Sequence, residues 1–295
     1  MKDVTVSYRF AICNEIFQKM PLAESCRTAS DLGYQGFEIA PFTLGEDPAA
    51  LSAEKRADVR QTIAGEGLEF VGLHWLLTAP KGLQVVTNNT AVREHSWDYV
   101  RRLVDLSADL ATPGARRRPV IVFGSPKQRS SVAGQTPQEA VKHFKEGMAQ
   151  MAPHAESCGV TLLVEALSPE QTDVICCLSE AAEVVKEIGS PAVQSMFDVH
   201  NAIDEFDSHE HLVESFYPYI KHVHVNELDG REPGRGDYNF FHLLRKLAEL
   251  KYDGWVSVEA FDFTREPYDI AQLSITTLKA AQSAGLAIKT PIKII

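Results

Sequence analysis

The sequence predicts one closed barrel of eight parallel strands wrapped by helices, a (β/α)8 fold, with residues 1–295 in a single domain. Three observations predict it. Short apolar runs alternate with helical patterns along the chain, and alternating β and α gives a parallel sheet. The alternation repeats eight times at a spacing of roughly 30 to 35 residues, the size of one βα unit, and eight units close into a barrel. The strands also read as near-continuous apolar runs, as strands buried on both faces do. A doubly wound open sheet is the alternative, disfavoured because no GxGxxG follows the first strand.

The first four units follow in order. Phe10–Cys13 is the first strand. Pro21–Leu32 is helical, with proline at its start and Gly33 as its stop. Gly36–Ile39 is the second strand, and Ser52–Gly65 is a polar helix. Leu68–Leu73 is the third strand, followed by a long amphipathic helix over Thr90–Leu110. Pro119–Phe123 is the fourth strand, rich in β-branched residues. Thr136-Pro-Gln-Glu139 opens the next helix with a cap, a proline at N1 and an acid at N3, and that helix ends near Ser157 before Gly159.

The second half repeats one design four times. Thr161–Val164, Ser195–Phe197, His222–Val225 and Trp255–Val258 are short buried strands, with helices at about 179–188, 208–216, 240–250 and 267–284 around them. Each strand delivers one metal-competent side chain near its C-terminal end: Glu165, Asp198, His224 and Glu259. A buried carboxylate is costly unless something charged receives it. In a (β/α)8 barrel these strand ends share one rim, where active sites sit. A lone acid there often only caps a helix or pairs with a lysine; four in register on consecutive strands point to one cation. Three carboxylates and an imidazole form a hard O/N donor set, suited to Mn2+ or Mg2+, with Co2+ as a further candidate.

Other rim candidates come from the earlier strands. His74 and Trp75 follow strand three, a polar and aromatic pair suited to a sugar; a core histidine is the plain alternative. Glu38 ends strand two, and Asn14-Glu15 ends strand one. Gly124-Ser-Pro-Lys127-Gln-Arg129 ends strand four. Its glycine permits close backbone approach, and Lys127 and Arg129 either meet a polar or anionic end of the substrate or form an ordinary basic loop.

Composition sets the frame. The chain is 44% hydrophobic, ample for a large core, and no apolar run is long enough to span a membrane. The stretch Met1–Arg9 lacks an apolar signal core. Five cysteines, odd in number and without CxxC spacing, predict reduced structural thiols in a cytoplasmic protein. A net charge of −11 argues against nucleic-acid binding, which needs Lys and Arg against phosphate. Arg116-Arg117-Arg118 reads as a solvated loop before a strand, and Lys289–Ile295 as a tail extending from the barrel.

The four strand ends, the His222-Val-His224-Val-Asn226 string and the loop Gly230-Arg231-Glu-Pro-Gly234-Arg-Gly236 resemble the xylose isomerase-like TIM-barrel superfamily. Within it they resemble the sugar phosphate isomerase/epimerase group that includes the ketose 3-epimerases. The resemblance runs from Phe10 to about Ala284. It implies a divalent metal that polarises the carbonyl of a keto sugar and stabilises an enediolate. It implies Glu165 and Glu259 as both ligands and an acid/base pair, and Arg231 as a holder of a substrate oxygen; in its own loop Arg231 could instead pair with Glu232 or Asp237. It also implies a small carbohydrate as partner and a homo-oligomer as assembly.

Two positions depart from the epimerases. Their second glutamate, six residues after the first, is Gln171 here, with Glu170 beside it. Their histidine three residues after the strand-six aspartate is met by His200, two residues after Asp198, with Asn201 next. These departures keep open a lyase or dehydratase on a keto sugar, keto-glycoside or inosose, with the same metal site. An apurinic-site endonuclease is remote, because that branch carries many more rim histidines. A non-catalytic subunit with a relic site is opposed by the intact Glu165 and Glu259.

Overall fold

The computed structural model describes residues 8–287. The tail expected over Lys289–Ile295 and most of Met1–Arg9 lie outside them. Eight strands close into a barrel in chain order: β1 (Arg9–Cys13), β2 (Gly36–Ile39), β3 (Glu69–Leu73), β4 (Val120–Phe123), β5 (Thr161–Val164), β6 (Val193–Asp198), β7 (Ile220–Val225) and β8 (Trp255–Val258). Every neighbouring pair is parallel, including β8 on β1. The expected (β/α)8 fold is therefore the one adopted, and the open sheet is not.

The surrounding helices are α1 (Leu22–Leu32), α2 (Ala53–Gly65), α3 (Thr90–Leu110), α4 (Pro126–Arg129), α5 (Pro137–Cys158), α6 (Leu178–Ile188), α7 (His209–Phe216), α8 (Phe240–Glu249) and α9 (Pro267–Ala287). Their ends follow local chemistry. Thr136 and Glu139 make a reciprocal capping box at the start of α5, satisfying backbone N–H groups that a first turn leaves free. Gly33 and Gly159 close α1 and α5 at φ 88° and 68°, a conformation costly for any residue with a Cβ. The four-residue α4 was not foreseen; it lies in the stretch read as a basic loop.

The side-chain period of two divides the strands. Ala11, Val71, Val120, Val122, Leu163, Met196 and Trp255 pack together inside the barrel. Phe10, Ile12, Leu162, Val164 and Phe197 belong instead to the shell packed against the helices. Continuing that alternation, Glu165 is two residues beyond Leu163 and Asp198 two beyond Met196, so both carboxylates point inward. Burying each large apolar side chain is worth about 1.5–3 kcal/mol, and this plug forms the floor on which the polar rim stands. An extra residue enters β3 opposite Phe37–Glu38, and another enters β7 opposite Ser195–Phe197. Such bulges bend a strand and re-aim its side chains, here beside Glu38 and Asp198.

Arg116 and Arg118 are exposed, as expected for a solvated loop. Arg117 is half-buried and donates from Nε to the Asp253 carbonyl at 3.0 Å. All five cysteines are free. Among the described residues no helix is long and apolar enough to cross a membrane.

Candidate active site and metal centre

Glu165, Asp198, His224 and Glu259 come together at the C-terminal ends of β5 to β8. One donor atom from each lies within 4.8 Å of all the others, and all four side chains are buried. Asp198 and His224 are register partners across β6 and β7. His224 Nδ1 is 3.0 Å from Glu259 Oε2 and 3.8 Å from Asp198 Oδ2. Glu165 and Glu259 stand at the two ends of this four-strand arc.

The electrostatics of the cluster call for a positive charge. Burial, followed by Glu259 and Asp198, pushes Glu165 up to about 8. Burial and Glu259 push Asp198 up to about 6. Burial would also raise Glu259, but His224 and His74 together hold this carboxyl below its usual range. Burial would lower His224, yet Glu259 and Glu38 hold the imidazole well above its ordinary value.

The residues fit a divalent cation. His224 Nε2 faces Glu38 Oε1 at 3.1 Å. A neutral ring donating that proton to Glu38 turns the Nδ1 lone pair toward two carboxylates. Nδ1 is buried and makes no hydrogen bond, so only a proton or a cation among the donors relieves the repulsion. A metal-binding histidine commonly has a carboxylate behind its other nitrogen, and Glu38 takes that place. Glu38 also meets His222 Nε2 at 3.0 Å; burial opposes its ionisation, but His222 and His224 together hold it well below the usual carboxylate range.

Glu38 and His74, read as rim residues, are fully buried beneath it. His74 Nε2 is 2.6 Å from Glu15 Oε2, and Nδ1 is 3.6 Å from Glu38 Oε1. An acid–imidazole chain thus backs the cluster from below. Its partners are up to 186 residues apart in sequence, which is why strand-end patterns show the four cluster residues but not the groups behind them.

Asn201 and Asn226, which stand beside motif residues in the sequence without a role of their own, hold the carboxylates in place. Asn201 donates from its backbone to Asp198 Oδ1 at 2.7 Å and from Nδ2 to Glu165 Oε1 at 2.9 Å. Asn226 donates to Asp198 Oδ2 at 3.1 Å, and its oxygen accepts from the His200 backbone at 2.8 Å. Gln171 donates to Asn201 Oδ1 at 2.5 Å, joining the cluster at one remove, while Glu170 is exposed. The signal for Asn201 was its place three residues after Asp198. Gly124 provides the close approach expected of it: a Cβ there would lie 2.3 Å from Glu165 Oε2. Arg129 is fully buried and donates to the carbonyls of Phe123 (2.9 Å) and Glu165 (2.7 Å), pinning the end of β5.

Trp75 forms part of an aromatic row above the cluster. Its backbone sits at φ 49°, a strained value for a bulky residue that in other proteins concentrates at functional sites. The indole stacks on Phe42 and Phe261, each at 5.9 Å, and Phe261 contacts His200 at 5.2 Å. His200 Nδ1 is 2.7 Å from the Leu228 carbonyl; a carbonyl only accepts, so Nδ1 carries the proton and Nε2 is left as an acceptor. Arg231 pairs with Asp229 at 2.7 Å, not with Glu232 or Asp237; Glu232 is held by Arg235 and Arg265. Lys127 is exposed on α4. Neither Arg231 nor Lys127 touches the four-residue cluster.

Comparison with known proteins agrees with this architecture. The fructoselysine 3-epimerase of Shigella flexneri is 22% identical over 285 residues, covering 89% of this chain and 94% of that protein. A solved L-ribulose 3-epimerase superposes with a TM-score of 0.80 at 16% identity, covering 97% of this chain and 100% of the other. The 3-keto-D-glucoside 4-epimerase of E. coli superposes with a TM-score of 0.77 at 18% identity, covering 93% and 100%. At such identities the superpositions speak for the fold. The model of the xylose isomerase-like TIM barrel family matches residues 26–281, and the chain belongs to that family.

Proposed function

We propose that this protein is a divalent-metal-dependent isomerase or epimerase of a keto sugar or sugar derivative. The observation that carries the reading is the buried cluster itself: two glutamates, Glu165 and Glu259, closing an arc completed by Asp198 and His224. The named 3-epimerases among its relatives support the substrate class. Asp198 and His224 would hold the metal together with the two glutamates; Mn2+ suits the donor set, with Mg2+ and Co2+ as alternatives. When bound, the ion supplies Lewis acidity toward a carbonyl oxygen.

The chain's own residues do the rest. Glu259 is the more readily ionised glutamate and is suited to take a proton from the carbon beside the carbonyl. Glu165, at the other end of the arc, is the group that returns one. Removal from one face and return on the other inverts the carbon. Asn201 holds Glu165 and Asp198 in place, and Glu38 fixes the orientation of His224. The Phe42, Trp75 and Phe261 rings form an apolar wall that sheds water and offers a flat face to a sugar ring. His200 Nε2 is placed to accept from a hydroxyl.

Gln171 supports a second reading. An amide cannot move a proton, and Glu170 points to solvent. That departure from the epimerases keeps open a lyase or dehydratase, which would begin with the same proton abstraction and end with loss of a leaving group in place of proton return. The endonuclease reading gains nothing from a chain of net charge −11. The test is a product analysis on ketoses and keto-glycosides. An epimer or isomer of equal mass, lost with chelator and restored by Mn2+, is expected. Loss of water or a fragment establishes the lyase. No product on any substrate contradicts both.

A further inference from the structure

We propose that Asp105, His154 and Cys158 form a second metal site on the outside of the barrel, specific for a borderline ion of the zinc class. His154 and Cys158 are four residues apart at the end of α5, which places them on one face. Asp105 reaches them from α3. His154 Nε2 is 2.8 Å from Asp105 Oδ1, Cys158 Sγ is 3.7 Å from that same Nε2, and Sγ is 3.9 Å from Asp105 Oδ1.

This geometry is not that of a nucleophilic triad. A thiol, imidazole and acid that relay a proton use opposite nitrogens of the ring. Here the thiol and the carboxylate face the same nitrogen, so three different donors converge on one point. Tetrahedral coordination with Zn–S near ~2.3 Å and Zn–N and Zn–O near ~2.0–2.2 Å separates donor atoms by about 3.4–3.6 Å. The observed separations lie on either side of that range. The largest adjustment is about 0.6 Å, as the carboxylate and imidazole exchange their hydrogen bond for a shared ion.

Two surroundings suit a cation there. Cys158 is the last residue of α5, at the negative end of the helix dipole. Arg101 Nη1 lies 3.7 Å from Asp105 Oδ2; its charge opposes a cation, but it engages the other carboxylate oxygen and leaves Oδ1 on the side of His154 and Cys158. The His154 and Asp105 side chains are 29% and 37% exposed, so an ion enters from solvent and water fills the open position. A thiolate and imidazole select zinc-like ions over Mg2+ or Mn2+, whereas the four-residue cluster at the rim contains no sulfur. The two sites therefore differ in metal class, and the outer one ties α3 to α5.

The test is titration of the full chain with Co2+ under a phosphine reductant, read as thiolate-to-cobalt charge transfer in the near ultraviolet. With the rim cluster first saturated with Mn2+, the expected result is a band that saturates at one equivalent, is displaced by Zn2+, and is absent from Cys158→Ser. His154→Ala weakens Co2+ binding at this site by at least about tenfold. Cys158→Ser keeps its far-ultraviolet dichroism and its turnover of sugar, so the result stands apart from the function proposed above. No band in the wild-type protein overturns the proposal. So does a band that survives in Cys158→Ser, which would place the thiolate elsewhere, as at Cys13 in the barrel.

Discussion

Glu259 and Glu38 make different demands on one imidazole. Glu259 faces His224 Nδ1 and Glu38 faces Nε2, so the same ring separates the proposed proton-transfer group from its proposed support. Glu259→Gln removes the proton acceptor without removing volume. Turnover should fall about 100-fold or more, with thermal stability retained; a variant keeping more than about a tenth of the rate would refute the role. Glu38→Gln should act differently. An amide has one acceptor oxygen where the carboxylate serves both His222 and His224, so metal affinity should fall by about 10–100-fold, as read by Mn2+ titration. At this scale the four clustered residues were legible because each is a charged or imidazole side chain ending an apolar run. Their supports were not. Glu38 and His74 read equally well as rim residues, and nothing local to residue 38 names residues 222 and 224 as its partners.

The strands act on chemistry through their period of two. Leu163 and Glu165 share an inward face, as do Met196 and Asp198, so the plug and the ligands are one pattern continued upward. Gly124 belongs to the same logic, since β4 must leave space for a carboxylate from β5. Gly124→Ala should displace Glu165 and lower turnover by at least tenfold with little change in thermal midpoint, because the added methyl meets a side-chain oxygen and no backbone atom. Equal loss of stability and activity would mean that the strand, not the carboxylate, had moved. The elements were legible where alternation was sustained and caps were explicit, as at Thr136–Glu139. The extra residues in β3 and β7 leave no mark in the hydrophobic pattern, and α4 is too short for helical periodicity to show.

The whole molecule carries a buried excess of ionisable groups at one end of the barrel, and this sets its response to pH. Without a metal, burial and neighbouring carboxylates push Glu165 up to about 8 and Asp198 up to about 6, above the ~4.3 and ~3.9 of an unfolded chain. The native state therefore binds more protons than the unfolded state between about pH 4 and 8, and stability falls as pH rises through that window. His224 and His74, held above the usual histidine value by their carboxylate neighbours against the pull of burial, contribute with the same sign. Metal binding requires deprotonated ligands and strengthens with pH. The gap in thermal midpoint between Mn2+-loaded and chelated protein should widen from pH 6 to 8; parallel curves would contradict a metal bound by these four groups. The closed barrel was legible at this scale because eight repeats allow few other closures. The shape of the mouth was not, since the aromatic row joins Phe42, Trp75, Phe261 and His200 from four separate strand ends.

The central claim is that the protein exchanges a carbon-bound proton of a keto sugar under metal control. Incubation of Mn2+-loaded protein with ketoses and keto-glycosides in D2O, followed by a chelator quench and mass analysis, tests it most directly. One deuterium is expected at the carbon next to the carbonyl, absent when metal is removed and absent in Glu259→Gln. Substrate turned over with no deuterium incorporated, or incorporation that survives chelation, would contradict it.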